Sequence, residues 1–237
     1  MAKKLHEVSI FFPFWNEEKN IERVVLQALI IAPKAALKWE IIIVDDGSSD
    51  GTLEIARKIK EKNPNIRIIS HEPNRGYGAA LKEGFENAKY KYIVFTDGDG
   101  QFDFSEVSKF IEKIETCDLV IGYRKKREDK LLRHILMNLL KIWDFVFFGF
   151  WFRDIDCGFK MFEKESLGKI MPFRSEGAMI TTEILAKAIR KKLKIKQVEV
   201  THYPRRFGTP SGANIPVVAR AVLESLILWL DIHNRRI

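Results

Sequence analysis

The sequence predicts an α/β fold in which a central, mostly parallel sheet is flanked by helices on both faces. Two observations carry this. Short apolar runs alternate with helix-period stretches from Glu7 to Gly122, and every loop crowded with acids and glycines follows a predicted strand. Ligands of such sheets bind beyond the carboxyl ends of the strands.

The elements follow in order. Glu7 to Phe12 reads as a strand and Glu18 to Ile31 as a helix; Glu40 to Val44 and Thr52 to Glu61 repeat the pair. Ile66 to Ser70 is the third strand, followed by a helix from Tyr77 to Ala88, a strand opening at Tyr92, a helix from Ser105 to Glu115 and a strand from Asp118 to Gly122. The later half is less regular. Leu131 to Phe152 and Ile215 to His233 both read as amphipathic helices with wide apolar faces. Residues 1–212 are therefore expected to form the main domain, with an amphipathic segment at 131–152, and 213–237 a C-terminal amphipathic helix.

Composition narrows the classes. A chain of 237 residues, 46% hydrophobic and 30% charged, is large enough for one domain with a full core. No long uncharged apolar window encodes a membrane span, and the apolar stretch Val8 to Trp15 is too short for a signal peptide. The 2 cysteines, Cys117 and Cys157, give no disulfide framework, so a cytoplasmic protein is expected. A net charge of +8 favours anionic partners. Nucleic acid is disfavoured among them, because stacking aromatics are segregated from the basic run Arg124-Lys125-Lys126-Arg127. Cations beside a Trp- and Phe-rich helix instead describe an element lying at a lipid headgroup boundary.

The strand Tyr92 to Thr96 runs into Asp97-Gly98-Asp99-Gly100-Gln101, which delivers two carboxylates to one turn whose glycines admit a bulky polyanion. Oxygen ligands of this kind suit Mg²⁺ or Mn²⁺ on a diphosphate. After the second strand comes Asp45-Asp46-Gly47-Ser48-Ser49-Asp50-Gly51-Thr52. Helix capping explains Gly47 to Thr52, but not two adjacent acids closing a β-branched run, so Asp45 reads as a ligand contact.

Competing motifs fare worse. Gly47-Ser48-Ser49-Asp50-Gly51 matches a nucleophile elbow, with Asp154 and His202 in the chain order of a hydrolase triad. The neighbouring Asp45 and Asp46 would oppose a developing oxyanion. A calcium loop starting at Asp97 fails at Phe102 and Ser108, and Gly76-Tyr77-Gly78 lacks the third glycine of a dinucleotide fingerprint.

Taken in order, Pro13-Phe14-Trp15-Asn16-Glu17-Glu18, Val44-Asp45-Asp46-Gly47-Ser48, Asn74-Arg75-Gly76, Asp97-Gly98-Asp99-Gly100-Gln101 and Arg205-Arg206-Phe207-Gly208 form a series. The chain resembles the inverting family 2 glycosyltransferases of GT-A fold, a Rossmann-like nucleotide-diphospho-sugar transferase fold, and within them the polyprenyl-phosphate sugar synthases of the dolichol-phosphate mannose synthase type. The resemblance runs from about Val8 to Ser211. It implies that Pro13, Trp15, Glu17 and Asp45 bind base and ribose, that Asp97 lies near ribose and sugar, and that Asp99 and Gln101 hold the divalent metal. Arg205, with Arg206 as a rival, would reach the phosphates; Arg124 and Arg133 would take the acceptor phosphate, and Asp154 and Asp156 would lie near the sugar.

The implied donor is a nucleotide-diphosphate sugar of the GDP-mannose or UDP-glucose type, and the implied acceptor a polyprenyl or dolichyl phosphate on the cytoplasmic face of a membrane. The membrane region that follows the catalytic domain in many relatives has no counterpart in this sequence. Membrane contact is therefore expected from surface helices, an anchoring partner protein or a second copy. A phosphate nucleophile is already anionic and needs no strong base, whereas a hydroxyl acceptor would require Asp154 or Asp156 as one.

Overall fold

The computed structural model describes residues 3–124, 145–208 and 223–231. Its strands are β1 (Leu5–Phe14), β2 (Ala36–Asp45), β3 (Ile66–Ser70), β4 (Tyr92–Thr96), β5 (Leu119–Arg124), β6 (Phe159–Glu163) and β7 (Ile195–Val200). The helices are α1 (Ile21–Ala35), α2 (Thr52–Glu61), α3 (Tyr77–Asn87), α4 (Val107–Ile114), α5 (Lys164–Gly168) and α6 (Ile180–Arg190), with a 3₁₀ turn at Phe104–Glu106. A last helix, α7, covers 223–231.

The strands form one 7-stranded sheet in the order β3-β2-β1-β4-β6-β5-β7. All pairs are parallel except those of β6, which runs antiparallel to both β4 and β5. The expected fold class is the one observed. Helices on both faces bury the central strands, which explains their near-continuous apolar runs. On one side Phe12, Phe104, Phe110 and Phe159 share a core with α1 and α4; on the other, Phe11, Phe85, Phe95 and Phe162 share one with α3 and α6.

The early elements agree with the sequence reading to within a few residues. β1 and β2 extend beyond their expected ends because they pair continuously from Leu5↔Ala36 to Phe14↔Asp45. The later half departs more. β6 was hidden by Lys160, a fully buried cation in an apolar strand. α6 carries the buried ion pair Lys187 Nζ to Glu183 Oε1 at 2.8 Å, which breaks its apolar stripe in sequence. The expected helix over 131–152 does not reach its end: a helical turn at 145–148 stops at Gly149, whose φ of 71° is left-handed, and Phe150 and Phe152 turn into the core. Residues 131–144 of that segment, and 215–222 with 232–233 of the C-terminal helix, lie outside the described residues.

One contact fixes how closely α3 approaches the sheet. A Cβ at Gly84 would come 2.3 Å from the Phe11 ring, so the helix rides on that ring with no side chain between them. Gly84→Ala should therefore destabilise by about 1–3 kcal/mol in urea unfolding, although alanine is the better helix former.

Candidate active site

β1, β2, β4 and β5 end at one edge of the sheet, and the antiparallel β6 begins there. The loops at this edge are zipped together. Asn16 N–H donates to Ser48 Oγ at 2.9 Å, Glu17 N–H to Thr52 Oγ1 at 2.8 Å, and Ser49 N–H to Asn16 Oδ1 at 2.8 Å. Asn16 bends through a φ of 53° to make these contacts.

The paired acids after β2 divide. Asp46 accepts from Arg75 N–H at 2.9 Å, Gly76 N–H at 2.8 Å and Asn74 Nδ2 at 2.8 Å, and His71 Nδ1 lies 2.7 Å away. Its carboxylate therefore buckles the Asn74-Arg75-Gly76 loop onto the end of β2. Asp45, 1% exposed, accepts from Ser70 Oγ at 3.1 Å through Oδ2, while its Oδ1 is buried with no partner among the described residues. A buried carboxylate oxygen without a donor is costly, and a ligand N–H or O–H would satisfy it.

Asp97 and Asp99 stand on the floor of the cleft. Tyr77 Oη donates to Asp97 Oδ1 at 2.8 Å, and Asp97 N–H donates to the Gly158 carbonyl at 3.1 Å. Burial, reinforced by the charge of Asp99, pushes the Asp97 carboxyl up to about 6. Asp99 Oδ1 accepts from Gln101 N–H at 3.0 Å, and burial raises this carboxyl too. Gln101 Nε2 donates to the Tyr203 carbonyl at 2.9 Å, and Tyr203 N–H returns a bond to the Gln101 carbonyl at 2.7 Å, which straps the late loop across the turn.

That strap carries Arg205 between two acids. Its Nη2 contacts Glu17 Oε1, and its Nη1 lies 3.6 Å from Asp99 Oδ2. Glu17 is held from the other side by Asn20 Nδ2 at 2.6 Å, and burial raises its carboxyl. Arg206 is exposed, so of the two rivals it is Arg205 that reaches the acids. Trp15 is 48% exposed at the rim, whereas Pro13 is buried inside β1.

The residues expected near the acceptor and sugar are partly paired with one another. Arg124 grips Asp154 with both edges of its guanidinium, Nε to Oδ2 at 2.6 Å and Nη2 to Oδ1 at 2.9 Å. Asp154 is thereby committed to a cation and poorly suited to act as a base. Asp156 is exposed in the loop before β6, and the surrounding protein, then Asp154, raise its carboxyl. Below them Lys160 Nζ donates to the Ile155 carbonyl at 3.0 Å and to that of Cys157, so it supports the loop from beneath. Arg133 lies outside the described residues.

Sequence reasoning passed over Tyr77, Lys160 and the role of Asp46, for which spacing offers no signal; only the third dimension brings Tyr77 to Asp97. The triad reading finds no support in the geometry. Ser49 Oγ donates to Asn16 Oδ1 at 3.3 Å, the His202 ring packs edge-on against Phe102, and Asp154 is engaged by Arg124.

Among the described residues no three His, Cys, Asp or Glu side chains converge as a protein-only cage. One half-buried carboxylate, Asp99, flanked by Gln101, fits an ion whose remaining ligands would be diphosphate oxygens and water.

The profile of glycosyl transferase family 2 matches residues 9–170. This chain is a family 2 glycosyltransferase. The transferase is 32% identical to a dolichyl-phosphate beta-glucosyltransferase of Saccharomyces cerevisiae, over 84% of this chain and 73% of that protein. It is 30% identical to a dodecaprenyl-phosphate galacturonate synthase of Rhizobium johnstonii, over 93% of this chain and 65% of that one. Its fold is that of glucosyl-3-phosphoglycerate synthase of Mycobacterium tuberculosis, solved with Mn²⁺, UDP-glucose and phosphoglyceric acid. The two superpose with a TM-score of 0.69 at 19% identity, over 95% of this chain and 79% of that one.

A carboxyl raised to about 6 is a stability penalty once ionised: below its unfolded value near 3.8 nothing is lost, and stability falls as pH rises through about 6. In chelator, Asp97→Asn should therefore melt about 3–5 °C higher than wild type at pH 8, and the gain should fade by pH 4.5. Thermal melts at both pH values check this.

Proposed function

We propose that this glycosyltransferase moves a hexosyl group from a nucleotide-diphosphate sugar to a polyprenyl phosphate, with inversion and with a divalent metal. The observation that carries the reading is Arg205 suspended between Glu17 and Asp99 on a cleft floor that also holds Asp97. Charge of both signs is concentrated there, where a diphosphate would depart. Relatives named for dolichyl-phosphate and dodecaprenyl-phosphate acceptors support the lipid acceptor.

In this reading the orphan oxygen of Asp45 accepts from the base, Trp15 covers the base or ribose, and Glu17 faces the ribose side. Asp99 and Gln101 hold the metal, Mg²⁺ or Mn²⁺, which would supply positive charge to the leaving nucleoside diphosphate. Arg205 adds a second cation to the same oxygens. An acceptor phosphate oxygen attacks the anomeric carbon, the bond from that carbon to the diphosphate breaks, and the electron pair leaves with the nucleotide. Arg124 binds that acceptor phosphate through the guanidinium N–H groups that Asp154 does not use, with Arg133 as its companion.

The lipid would arrive from an apolar surface. Phe145, Val146 and Trp151 are exposed, as are Leu223, Leu226, Ile227 and Leu230 on α7, and the Phe147 and Trp229 rings meet at 6.0 Å to join the two segments. No helix among the described residues is long and apolar enough to cross a membrane. We therefore read this surface as lying on the cytoplasmic face of a membrane, alone or with an anchoring partner or second copy. A hydroxyl acceptor is the second reading, favoured by one observation: Asp156 is accessible with a raised carboxyl, the property of a base.

Incubation with radiolabelled UDP-glucose or GDP-mannose, Mn²⁺ and polyprenyl phosphate should yield organic-extractable label. Asp99→Asn or excess chelator should lower it at least about 100-fold. Label appearing only in water-soluble products would favour the hydroxyl reading. With vesicles containing anionic lipid, the wild type should float, and Trp151→Ser combined with Leu230→Ser should float markedly less; equal flotation would remove this surface from the account.

A further inference from the structure

Tyr77 opens α3 within the Gly76-Tyr77-Gly78 turn, packed against the core under that helix. Its place is fixed by the backbone on either side. Gly78 N–H donates to the Glu176 carbonyl at 2.8 Å, and Gly76, the residue before Tyr77, is tied to Asp46. The hydroxyl that results from this seating meets Asp97 Oδ1 at 2.8 Å.

Gly158 bounds the same carboxylate from the opposite side. A Cβ there would stand 2.0 Å from Asp97 Oδ2, so the acid occupies space that any other residue at 158 would fill. The phenol thus occupies one lone pair of Oδ1, and the missing side chain at Gly158 leaves room for Oδ2. Burial and the nearby Asp97 charge hold the Tyr77 phenol far above its ordinary range, so it stays a proton donor.

The location says which part of the donor these lone pairs meet. Asp97 stands within electrostatic reach of Asp99, which pairs with Arg205, and of Arg124, which pairs with Asp154; in the reading above the first pair would face the diphosphate and the second the acceptor. A glycosyl group in transit occupies the space between leaving group and acceptor. Its hydroxyls are donors, and an ionised carboxylate only accepts.

We propose that Tyr77 is a positioning residue for the sugar: it orients Asp97 to accept from a hydroxyl of the glycosyl group, so that the enzyme tells a nucleotide sugar from the bare nucleotide through this pair. The proposal rests on the nucleotide-sugar reading above. It adds a residue whose hydroxyl, among the described residues, bonds to Asp97 alone and whose effect is confined to the sugar.

Calorimetric titration of wild type and Tyr77→Phe with UDP-glucose against UDP, and GDP-mannose against GDP, all with Mn²⁺, tests it. Tyr77→Phe should bind the bare nucleotide within about twofold of wild type and the nucleotide sugar roughly tenfold more weakly, the size of one hydrogen bond to a charged group. In the transfer assay kcat should fall while KM for the lipid stays put. Gly158→Ala, which crowds the carboxylate and leaves the hydroxyl intact, should reproduce the selective loss and decides the matter alone if Tyr77→Phe does not fold. Equal weakening of nucleotide and nucleotide sugar, or no weakening of either, overturns the proposal. A wild type that binds nucleotides without preferring any sugar form also overturns it, whereas a wild type that binds no nucleotide fails the nucleotide-sugar reading first and this inference with it.

Discussion

The constraint on which the site depends is the crowding of negative charge beyond the end of β4. Asp97, Asp99 and Glu17 share a cleft in which burial works against ionisation of all three. Such a group is tolerable only if cations are brought to it, and the 97–101 turn carries none of its own. Arg205 comes from the late loop, and Arg124 and Lys160 come from β5 and β6. The packing of distant loops at this edge is therefore the structural expression of a charge-balance requirement. Withdrawing one cation would leave buried charge uncompensated, which costs more than the pair itself is worth.

Adjacent residues were given opposite treatments by the same fold. Asp46 is saturated with donors and serves as a fastener between β2 and the 74–76 loop, while Asp45, one step back in the strand, keeps an oxygen unanswered. Strand alternation separates them, since successive side chains leave a strand on opposite faces. Natural sequences satisfy polar groups wherever nothing is to be bound, so the contrast between neighbours is more telling than either acid alone.

The first half of the chain was legible because parallel strands buried on both faces give unbroken apolar runs, and the helices between them keep a plain 3.6 period. The second half resisted because its buried positions are charged. Lys160, Glu183 and Lys187 are each below about a twentieth exposed, and each interrupts the pattern that would have revealed β6 or α6. Legibility of the site followed a similar line. Asp45, Asp97 and Asp99 could be nominated from their positions after strands, and Glu17 from the family resemblance, and all four do gather at one edge. Which arginine meets them, and that Asp154 is held by Arg124, depend on loop paths that no spacing encodes.

The reversed strand β6 has a consequence for how this architecture can change. Because β5 ends and β6 begins at the same edge, the chain between Arg124 and Phe159 leaves the sheet and returns to it beside the cleft. An excursion with both ends anchored at one place can lengthen, shorten or change its surface chemistry without shifting any strand, since loop closure costs grow only slowly with length. In the reading proposed above, variation in this stretch would fall on the acceptor side of the site, while the strands that end in Asp45 and Asp97 keep their register.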